Sequence, residues 1–376
     1  MNKFNNKTQI FSGLRLRQIL NDLKRNPKDA AMDLNMSLIE FEKLLNGKKI
    51  LDEKLAREIT SIWPVKIINL INPYFDREPN FKIMRATASL KTSRTMKRGG
   101  IDYYEYRDTV MSKNAPFRPE WIRELSYVSN NSTSNRLLRW NRGHLLHQFT
   151  YFVGEINFYY YDKNHNKKVA IMNTGDSMYI GPYVPHTFTT RNKDCSGFII
   201  AITYTDKISS DIQNELLDYG EKKSAKFFSD LPKKSYDKVT VLKYKNIKTK
   251  KISHNKNNIF NLKTLASTKL VKSAKSFELE VIKDNKCMQS DLSHQYIYVL
   301  SKKGSMMIEG KKFNFKNNDT IYIKPCTNYA FLTKGLKVLI MSVDGKISGD
   351  TQLQLLQIGK KNLKRIIYDD IGWFKQ

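Results

Sequence analysis

The sequence predicts an α+β protein in which an N-terminal helix-turn-helix-like helical domain precedes two small β-barrels, arranged as a tandem repeat with a degenerate second copy. Apolar residues recur at helical spacing mainly between about residues 12 and 72. From about residue 84, short alternating segments separated by Gly and Asn turns are typical of barrel strands. Motifs of the first strand-rich region then recur, in the same order, in the second.

These patterns divide the chain into five predicted segments. They are a helical domain at 1–75, a first barrel at 76–206, a helical segment with a connector at 207–262, a degenerate barrel at 263–346 and a C-terminal helical segment at 347–376. In the helical domain, Ser37 and Glu40 predict a capping box, and a tight turn near Asn35 resembles the helix-turn-helix of phage repressors. The alternative is a small helical bundle that has lost DNA binding and packs on another domain.

The chain carries a strong positive charge, with 65 Lys and Arg against 36 Asp and Glu in 376 residues, for a formal net charge of +29. Such a charge favours anionic partners, namely nucleic acid, anionic lipid or a phosphorylated substrate. Lys and Asn are nevertheless spread along the whole chain, in runs such as KKFNFKNND. This spread indicates a general compositional bias, with steering of an anionic ligand as the alternative.

Cysteine usage and hydropathy point to the cytoplasm. Cys195, Cys287 and Cys326 lack CxxC spacing, so we expect neither a disulfide framework nor a zinc site, and a reducing compartment. No apolar run approaches the roughly 18 residues of a membrane span. The N-terminus also lacks the apolar stretch of a signal peptide. We therefore expect a cytoplasmic protein without membrane contact.

A candidate metal site lies in the first barrel, in the segments GHLLHQFTYFVGE and TGDSMYIGPYVPHTF. His144 and Gln148 share one strand face, because side chains alternate with period two. His186 follows a turn that brings a third ligand across a small barrel. Two imidazoles and one amide oxygen would leave open positions on a divalent metal, as in non-haem Fe(II) facial triads, with Gln in place of the usual carboxylate. The competitor His147 falls on the opposite face.

The internal repeat supports this assignment. Segments 147–151 and 173–182 match 294–298 and 317–325, and 207–220 matches 346–359. The residues of the second copy that stand at the positions of His144, Gln148 and His186 are Asp291, Gln295 and Tyr329. Since both histidines are lost together, the second barrel is predicted to bind no metal and to serve packing. His147, by contrast, recurs as His294, which indicates a packing role for both.

A neutral third ligand has an electrostatic consequence. Two imidazoles and an amide leave Fe(II) with its full +2 charge, whereas a carboxylate would cancel part of it. Such a site favours a dianionic substrate that chelates through two oxygens. A phosphonate or phosphate ester fits this description, and it would also need fixed cations and hydrogen-bond donors nearby.

The whole arrangement resembles a known family. A helix-turn-helix-like domain followed by a His-x3-Gln-x37-His barrel and a degenerate copy resembles the methylphosphonate synthases, within the group that includes hydroxyethylphosphonate dioxygenase and hydroxypropylphosphonate epoxidase. The resemblance covers nearly the whole chain and implies cupin (double-stranded β-helix) barrels. The epoxidase has Glu at the position of Gln148. The dioxygenase takes its carboxylate from six residues before the last His, which here is Ile180, so Gln148 matches the synthase pattern.

The resemblance also implies a substrate pocket. Its implied members are Arg98, Tyr104, Tyr106 and Asn141 on the barrel, Ile180 beside the metal, and Lys24 from the helical domain, with Lys24 and Tyr104 taking part in catalysis. Arg94 is the alternative to Arg98, and Lys28 the alternative to Lys24. Other interpretations are a turn residue for Asn141, a core residue for Tyr104 and an exposed helix-end lysine for Lys24.

The activity implied by the resemblance is Fe(II)- and dioxygen-dependent cleavage of the C–C bond of 2-hydroxyethylphosphonate, giving methylphosphonate and carbon dioxide or bicarbonate. One alternative is the dioxygenase reaction, with hydroxymethylphosphonate and formate as products. Another is a cupin-fused DNA-binding regulator, although Glu40 and Glu42 stand where phosphate contacts would require Lys or Arg. We expect no nucleic-acid partner and a homo-oligomer, with Lys24 supplied by its own or a neighbouring subunit.

Overall fold

The computed structural model describes residues 2–70, 78–204, 210–230, 238–254, 257–267, 273–284, 288–289, 291–345, 353, 355–357 and 359–360. The chain separates into two compact units, a helical unit formed by Met1–Arg77 with Ile347–Gln376, and a β unit formed by Glu78–Lys346. Cys287 and most of the predicted C-terminal helical segment lie outside the described residues.

The described secondary structure is mixed and mostly β. The helices are α1 (Asn2–Leu23), α2 (Pro27–Asp33), α3 (Leu38–Leu45), α4 (Glu53–Ile62), α5 (Ile67–Leu70), α6 (Ala86–Leu90) and α7 (Ser210–Asp230). The strands before α7 are β1 (Phe81–Met84), β2 (Arg94–Arg98), β3 (Ile101–Asp108), β4 (Phe117–Glu124), β5 (His147–Val153), β6 (Ile156–Tyr161), β7 (Lys167–Met172), β8 (Ser177–Ile180), β9 (His186–Thr190) and β10 (Phe198–Tyr204). The strands after α7 are β11 (Val239–Leu242), β12 (Thr249–His254), β13 (Asn257–Thr264), β14 (Ala274–Val281), β15 (Ser293–Val299), β16 (Lys303–Ile308), β17 (Lys311–Lys316), β18 (Thr320–Ile323), β19 (Tyr329–Phe331) and β20 (Lys337–Asp344).

The helical unit begins its helices with side-chain caps. The side chain of Ser37 accepts a hydrogen bond from the amide of Glu40 at 3.2 Å, as the sequence predicts. The Glu40 carboxylate pairs with Lys43 and Lys49 instead of serving the reciprocal bond of a capping box. Asn35 has a φ of +50° in the short turn between α2 and α3. Only the serine half of the predicted box therefore forms.

The β unit is built from four sheets in four layers. One seven-stranded sheet has the order β11-β8-β5-β10-β4-β3-β2 and faces the three-stranded sheet β7-β6-β9; we call this pair the first sandwich. The second sandwich pairs β1-β18-β15-β20-β14-β13-β12 with β17-β16-β19. A third apolar core joins the two seven-stranded sheets to each other. The central order β8-β5-β10 thus recurs as β18-β15-β20.

Strand β5 shows how the period-two pattern positions side chains. Phe152 lies in the core of the first sandwich, while Phe149 and Tyr151 lie in the core between the two large sheets. Gln148 shares the face of Phe152 by its even spacing. The same alternation turns His147 toward the other large sheet, and its Nδ1 lies 2.7 Å from the hydroxyl of Tyr179.

The environment of His147 recurs in the second sandwich. Nδ1 of His294 lies 2.7 Å from the hydroxyl of Tyr322, and the two rings stack with centroids 6.0 Å apart. The ring of His147 stacks against Tyr179 with centroids 5.9 Å apart. Both histidines therefore pack between the large sheets, facing away from the first-sandwich interior where Gln148 lies. Among the described helices, none combines the length and apolarity that crossing a bilayer requires.

Candidate metal centre

The three candidate ligands come from opposite walls of the first sandwich. Gln148 is the second residue of β5 in the seven-stranded sheet, and His186 is the first residue of β9 in the three-stranded sheet. His144 lies in the loop that leads into β5 and is half-buried, whereas Gln148 and His186 are buried. The structure therefore brings the three predicted side chains together at one end of the sandwich.

A close backbone approach fixes the loop that carries His144. The amide of Tyr183 donates a hydrogen bond to the carbonyl of His144 at 2.7 Å. Gly143 has a φ of +77°, and a Cβ at this position would lie 2.6 Å from the backbone of Tyr183. Glycine is required there because any side chain would collide with that backbone. Since Tyr183 lies three residues before His186, the loops that carry the two histidines are tied to each other.

Local hydrogen bonds set the tautomers of both histidines. Nδ1 of His144 lies 2.8 Å from the carbonyl oxygen of Leu146, and Nδ1 of His186 lies 2.8 Å from that of Val184. A carbonyl oxygen only accepts, so each neutral ring carries its proton on Nδ1 and a lone pair on Nε2. The two ring centroids are 5.4 Å apart and the rings are nearly perpendicular, at 83°.

Gln148 adds a third lone pair to this centre. Its Nε2 donates to the hydroxyl of Thr150 at 2.8 Å, and its Oε1 lies 3.0 Å from Nε2 of His144. In the neutral imidazole with Nδ1 protonated, both of these facing atoms are acceptors, which is an unfavourable contact without a proton or cation to share. The donor set of two Nε2 atoms and one amide oxygen therefore fits a divalent metal ion.

The candidate centre is not a cluster of acidic metal ligands. Within the described residues, His, Cys, Asp and Glu side chains do not assemble in groups of three that could hold a metal. The candidate centre contains two such residues, and its third donor is the amide of Gln148. A search restricted to the common ligand types would therefore overlook it.

Both ends of the Asn141 side chain form hydrogen bonds within the candidate centre. Its Nδ2 lies 3.0 Å from Nε2 of His186, and its Oδ1 accepts hydrogen bonds from the amides of Gly143 and His186, both at 2.9 Å. Burial lowers the pKa of His186 to about 3, and the nearby charges of His144 and Arg98 act in the same direction. His186 is therefore neutral at neutral pH, which preserves the lone pair on Nε2.

Arg98 and Arg94, the two candidate substrate arginines, differ in their partners. The guanidinium carbon of Arg98 lies 4.8 Å from the ring centroid of Tyr104, and one nitrogen donates to the carbonyl of Arg139 at 3.3 Å. Arg94 instead forms an ion pair with Asp108 at 2.7 Å. Within the described part of the chain, the charge of Arg98 has no carboxylate in ion-pair contact. This difference favours Arg98 over Arg94 as an anion ligand.

The two candidate tyrosines have different surroundings. Tyr104 is 2% exposed; its hydroxyl lies 3.2 Å from that of Thr187 and accepts from the amide of Phe188 at 3.1 Å. Tyr104 is therefore bonded to β9, next to His186. Tyr106 lies two residues further along β3, is only partly buried, and its hydroxyl forms no hydrogen bond to the described residues. Tyr106 is the more available donor.

Ile180 and Lys24 lie in different units. Ile180 is fully buried on β8, directly opposite Gln148 in the strand register, and presents an apolar wall to the centre. Lys24 follows the last residue of α1 in the helical unit, with a φ of +55°. Lys28, its alternative, is the second residue of α2.

Two acidic side chains inside the first sandwich were not anticipated. Glu124 on β4 is fully buried, and neither carboxylate oxygen has a hydrogen-bond partner among the described residues. Burial raises the pKa of Glu124 well above its usual value, against the smaller opposing effect of Arg98. Burial also raises the pKa of Glu120, which Arg94 and His144 partly oppose. The period-two pattern of FRPEWIRE, with both acids on the face of buried Ile122, is the signal that could have identified them.

The corresponding positions of the second sandwich are closed by mutual hydrogen bonds. Nε2 of Gln295 donates to the carboxylate of Asp291 at 3.3 Å, and the hydroxyl of Tyr329 donates to Oε1 of Gln295 at 2.7 Å. The three residues that the repeat aligns with the candidate ligands thus also come together in space. Their donors and acceptors satisfy one another, whereas in the first sandwich two acceptors, Oε1 of Gln148 and Nε2 of His144, face each other.

Curated relatives and solved structures resemble this chain. The methylphosphonate synthase of Nitrosopumilus maritimus (strain SCM1) is 36% identical, over 97% of this chain and 96% of that protein. The (S)-2-hydroxypropylphosphonic acid epoxidase of Streptomyces wedmorensis is 32% identical over 108 residues, which are 28% of this chain and 52% of the epoxidase. No family model matches the chain.

The structural comparison covers almost the full length of both chains. The 2-hydroxyethylphosphonate dioxygenase of Streptomyces albus, solved with 2-hydroxyethylphosphonate and Fe(II) bound, superposes with a TM-score of 0.86 and 24% sequence identity. The superposition covers 98% of this chain and 99% of the dioxygenase. At this level of identity the likeness shows that the two chains share a fold.

Proposed function

The chain belongs to the methylphosphonate synthase family, and we propose on that premise that it cleaves the C–C bond of 2-hydroxyethylphosphonate with Fe(II) and dioxygen. The products are methylphosphonate, carbon dioxide and one water, and the carbon dioxide hydrates to bicarbonate. The equation balances with one dioxygen per substrate and no external reductant, since the substrate supplies all the electrons. The reaction class is a non-haem iron dioxygenase.

His144, Gln148 and His186 hold the metal in this proposal, and the proximity of the three side chains at one end of the first sandwich is the observation that carries it. When bound there, Fe(II) supplies a template for substrate chelation and the redox chemistry with dioxygen. The hydrogen bonds of both Nδ1 atoms and of the Gln148 amide leave both Nε2 atoms and the amide oxygen as the donor atoms for the metal. Because all three ligands are neutral, the centre keeps a charge that matches a phosphonate dianion.

Arg98, Asn141 and Tyr106 orient the phosphonate. The guanidinium of Arg98 supplies charge-assisted hydrogen bonds, and Tyr106 donates its hydroxyl. Asn141 holds the loop before β5 against His186, so that the pocket keeps its shape. Tyr104, whose hydroxyl bonds to Thr187 and Phe188 on β9, keeps its proposed part in substrate binding and catalysis. Lys24, from its own or a neighbouring subunit of a homo-oligomer, is the residue that we propose to handle protons.

Ile180 and Gln148 favour methylphosphonate over hydroxymethylphosphonate and formate as products. Ile180 cannot ligate a metal, and its buried side chain keeps water from the wall opposite Gln148. A carboxylate ligand at the position of Ile180, as the dioxygenase pattern has it, would alter both the charge and the open positions of the metal. The neutral, apolar environment is thus the feature that we associate with the synthase outcome.

The rest of the architecture is interpreted as a tandem repeat of cupin barrels. The recurrence of β8-β5-β10 as β18-β15-β20, and of β7-β6-β9 as β17-β16-β19, supports two copies of one barrel. The mutual bonds of Asp291, Gln295 and Tyr329 support a second copy without metal. We assign the helix-turn-helix-like domain at 1–75 a structural role, and keep the boundaries at 76–206, 207–262, 263–346 and 347–376 for the remaining segments.

The test is phosphorus NMR on the purified protein, loaded anaerobically with Fe(II), given 2-hydroxyethylphosphonate and then exposed to air. A methylphosphonate signal supports the proposal. A hydroxymethylphosphonate signal with formate would keep the site and overturn the product assignment. Unchanged substrate with iron retained would overturn the enzymatic proposal, and salt-sensitive binding to duplex DNA would then favour the regulator.

A further inference from the structure

A basic cleft lies in the second sandwich, in a part of the β unit that the proposed reaction does not use. It has a volume of about 700 Å³ and is lined by the start of α6, the β16–β17 hairpin and the start of β18. Small-molecule sites commonly occupy about 300–1,000 Å³. Four cationic side chains line this cleft, namely Arg85, Lys303, Lys312 and Lys316.

Strand register places the lysines on one face. Lys303 of β16 pairs directly with Lys316 of β17, and the next pair on that face is Ser305 with Asn314. Lys312 follows two residues along from Asn314, so it shares the face as well. Like charges directly opposite each other destabilise a pair of strands. Repulsion between the paired lysines therefore destabilises the hairpin, and a bound anion would relieve this repulsion.

The one acidic side chain in the lining does not offset this charge. Asp319 is buried, and its carboxylate accepts from the guanidinium of Arg85 at 2.8 Å and from the amides of Ala86 and Lys316 at 2.9 and 3.0 Å. The hydrogen bonds that this carboxylate accepts thus come from Arg85 and from the backbone. In the described part of the chain, the ammonium groups of Lys303, Lys312 and Lys316 form no ion pair.

The remaining lining groups suit a phosphate-like ligand. Arg85 is held in place by Asp319 and stacks over the ring of Phe315 at 5.0 Å. The hydroxyls of Ser305 and Thr333 bond to each other at 2.7 Å at the wall of the cleft. A guanidinium, ammonium groups, hydroxyls and an amide such as that of Asn314 are the groups that bind phosphate and phosphonate oxygens.

We propose that this cleft is a second anion site, independent of the metal centre, that binds a small molecule carrying a phosphate or phosphonate group. The run KKFNFKNND, which the composition alone suggested to be bias, supplies two of its four cations, Lys312 and Lys316. The inference goes beyond the proposed function and does not depend on it, because none of its residues contributes to the first sandwich.

Calorimetry on the full-length, metal-free protein at physiological salt tests the proposal, with inorganic phosphate and methylphosphonate titrated separately. The cleft variant combines Lys303→Gln, Lys312→Gln and Lys316→Gln. The control combines Lys302→Gln, Lys311→Gln and Lys275→Gln, which remove the same charge from exposed positions outside the cleft. Both are built in an Arg98→Ala background, so that the candidate substrate pocket does not contribute.

We expect one saturable site, weakened at least tenfold in the cleft variant and less than twofold in the control. Preference between the two titrants identifies whether phosphate or phosphonate is the better ligand. Equal weakening in both variants would show a general charge effect and overturn the proposal, as would the absence of saturable binding. Turnover of 2-hydroxyethylphosphonate by the cleft variant with Arg98 restored reports the proposed reaction separately.

Discussion

Replacing Gln148 by Glu is expected to move iron affinity and substrate affinity in opposite directions. The change keeps the shape of the side chain but places a negative charge where the amide oxygen now lies 3.0 Å from Nε2 of His144. A carboxylate is the usual third ligand of Fe(II) in such triads, so Gln148→Glu should retain iron at least as well as the parent. The same charge cancels part of the attraction for a dianionic phosphonate.

The magnitude follows from Coulomb's law. Two unit charges about 4 Å apart interact with about 4 kcal/mol at an effective dielectric constant of about 20. Since about 1.4 kcal/mol is a tenfold change in Kd, a third of that repulsion is sufficient to weaken substrate binding tenfold. We therefore expect the Kd of 2-hydroxyethylphosphonate to rise by about 10- to 100-fold in Gln148→Glu.

The assay measures iron and substrate separately. Iron content after anaerobic desalting gives metal retention, and anaerobic calorimetry of the iron-loaded protein gives the substrate Kd. Gln148→Ala is the matched control, which should lose iron because the third donor is gone. Substrate binding to Gln148→Glu as tight as to the parent, or loss of iron from that variant, would refute the electrostatic reasoning.

Three further predictions concern the site and its support. His186→Ala should abolish iron retention while far-ultraviolet circular dichroism stays unchanged, because the residue lies at the start of β9 and its removal leaves the strand pairing intact. Glu124→Gln should stabilise the protein at pH 8, because burial raises the pKa of the wild-type carboxyl and the wild type loses stability as the pH rises above the usual value of that pKa, by about 1.4 kcal/mol per pH unit. The gain should shrink as the pH falls toward 4.5, and urea unfolding at several pH values measures it. Glu278→Ala should destabilise the protein by about 1–3 kcal/mol in the same assay, because it removes the buried acceptor of the Tyr151 and Tyr244 hydroxyls. The lost ion pair with Lys337 adds little, since that side chain is 36% exposed and keeps its contact with Tyr244.

Each of these three predictions has a measurable outcome that would contradict it. Iron bound stoichiometrically by His186→Ala would remove it from the ligand set. A pH-independent difference between Glu124→Gln and the wild type would show that the carboxyl is not neutral in the folded state. For Glu278→Ala, a loss of stability below about 1 kcal/mol would show that the bonds of Glu278 to Tyr151 and Lys337 contribute no more than a surface ion pair does.

Periodicity predicted those parts of the structure that depend on local order. The segment IDYYEYRD forms β3 over the same eight residues, and the separation of His147 from the face of Gln148 follows from alternation alone. The choice between Tyr104 and Tyr106 did not follow, because residues two apart share a face, and only the approach of Thr187 and Phe188 distinguishes them.

The register between strands could not be predicted from the sequence either. The pairing of Lys303 with Lys316 joins residues thirteen positions apart, and the lysine-rich composition hid the resulting cluster. Glu124 was overlooked because its setting is created by neighbours on other strands, such as Tyr104 of β3, to which it pairs. In each case the missing information is which strands become neighbours, which local spacing does not contain.

If Gln148 and His186 bind iron as proposed, their origin on two facing sheets would link iron supply to the lifetime of the protein. Gln148 and His186 belong to sheets that have no strand in common, so a metal held between them acts as a cross-link across the sandwich. A ligand present at a hundred times its Kd adds about 2.7 kcal/mol to the stability of the folded state. Iron limitation would then leave the metal site empty and would also lower the resistance of the whole barrel to proteolysis. Cellular iron would in this way set the amount of the protein as well as the fraction that carries iron.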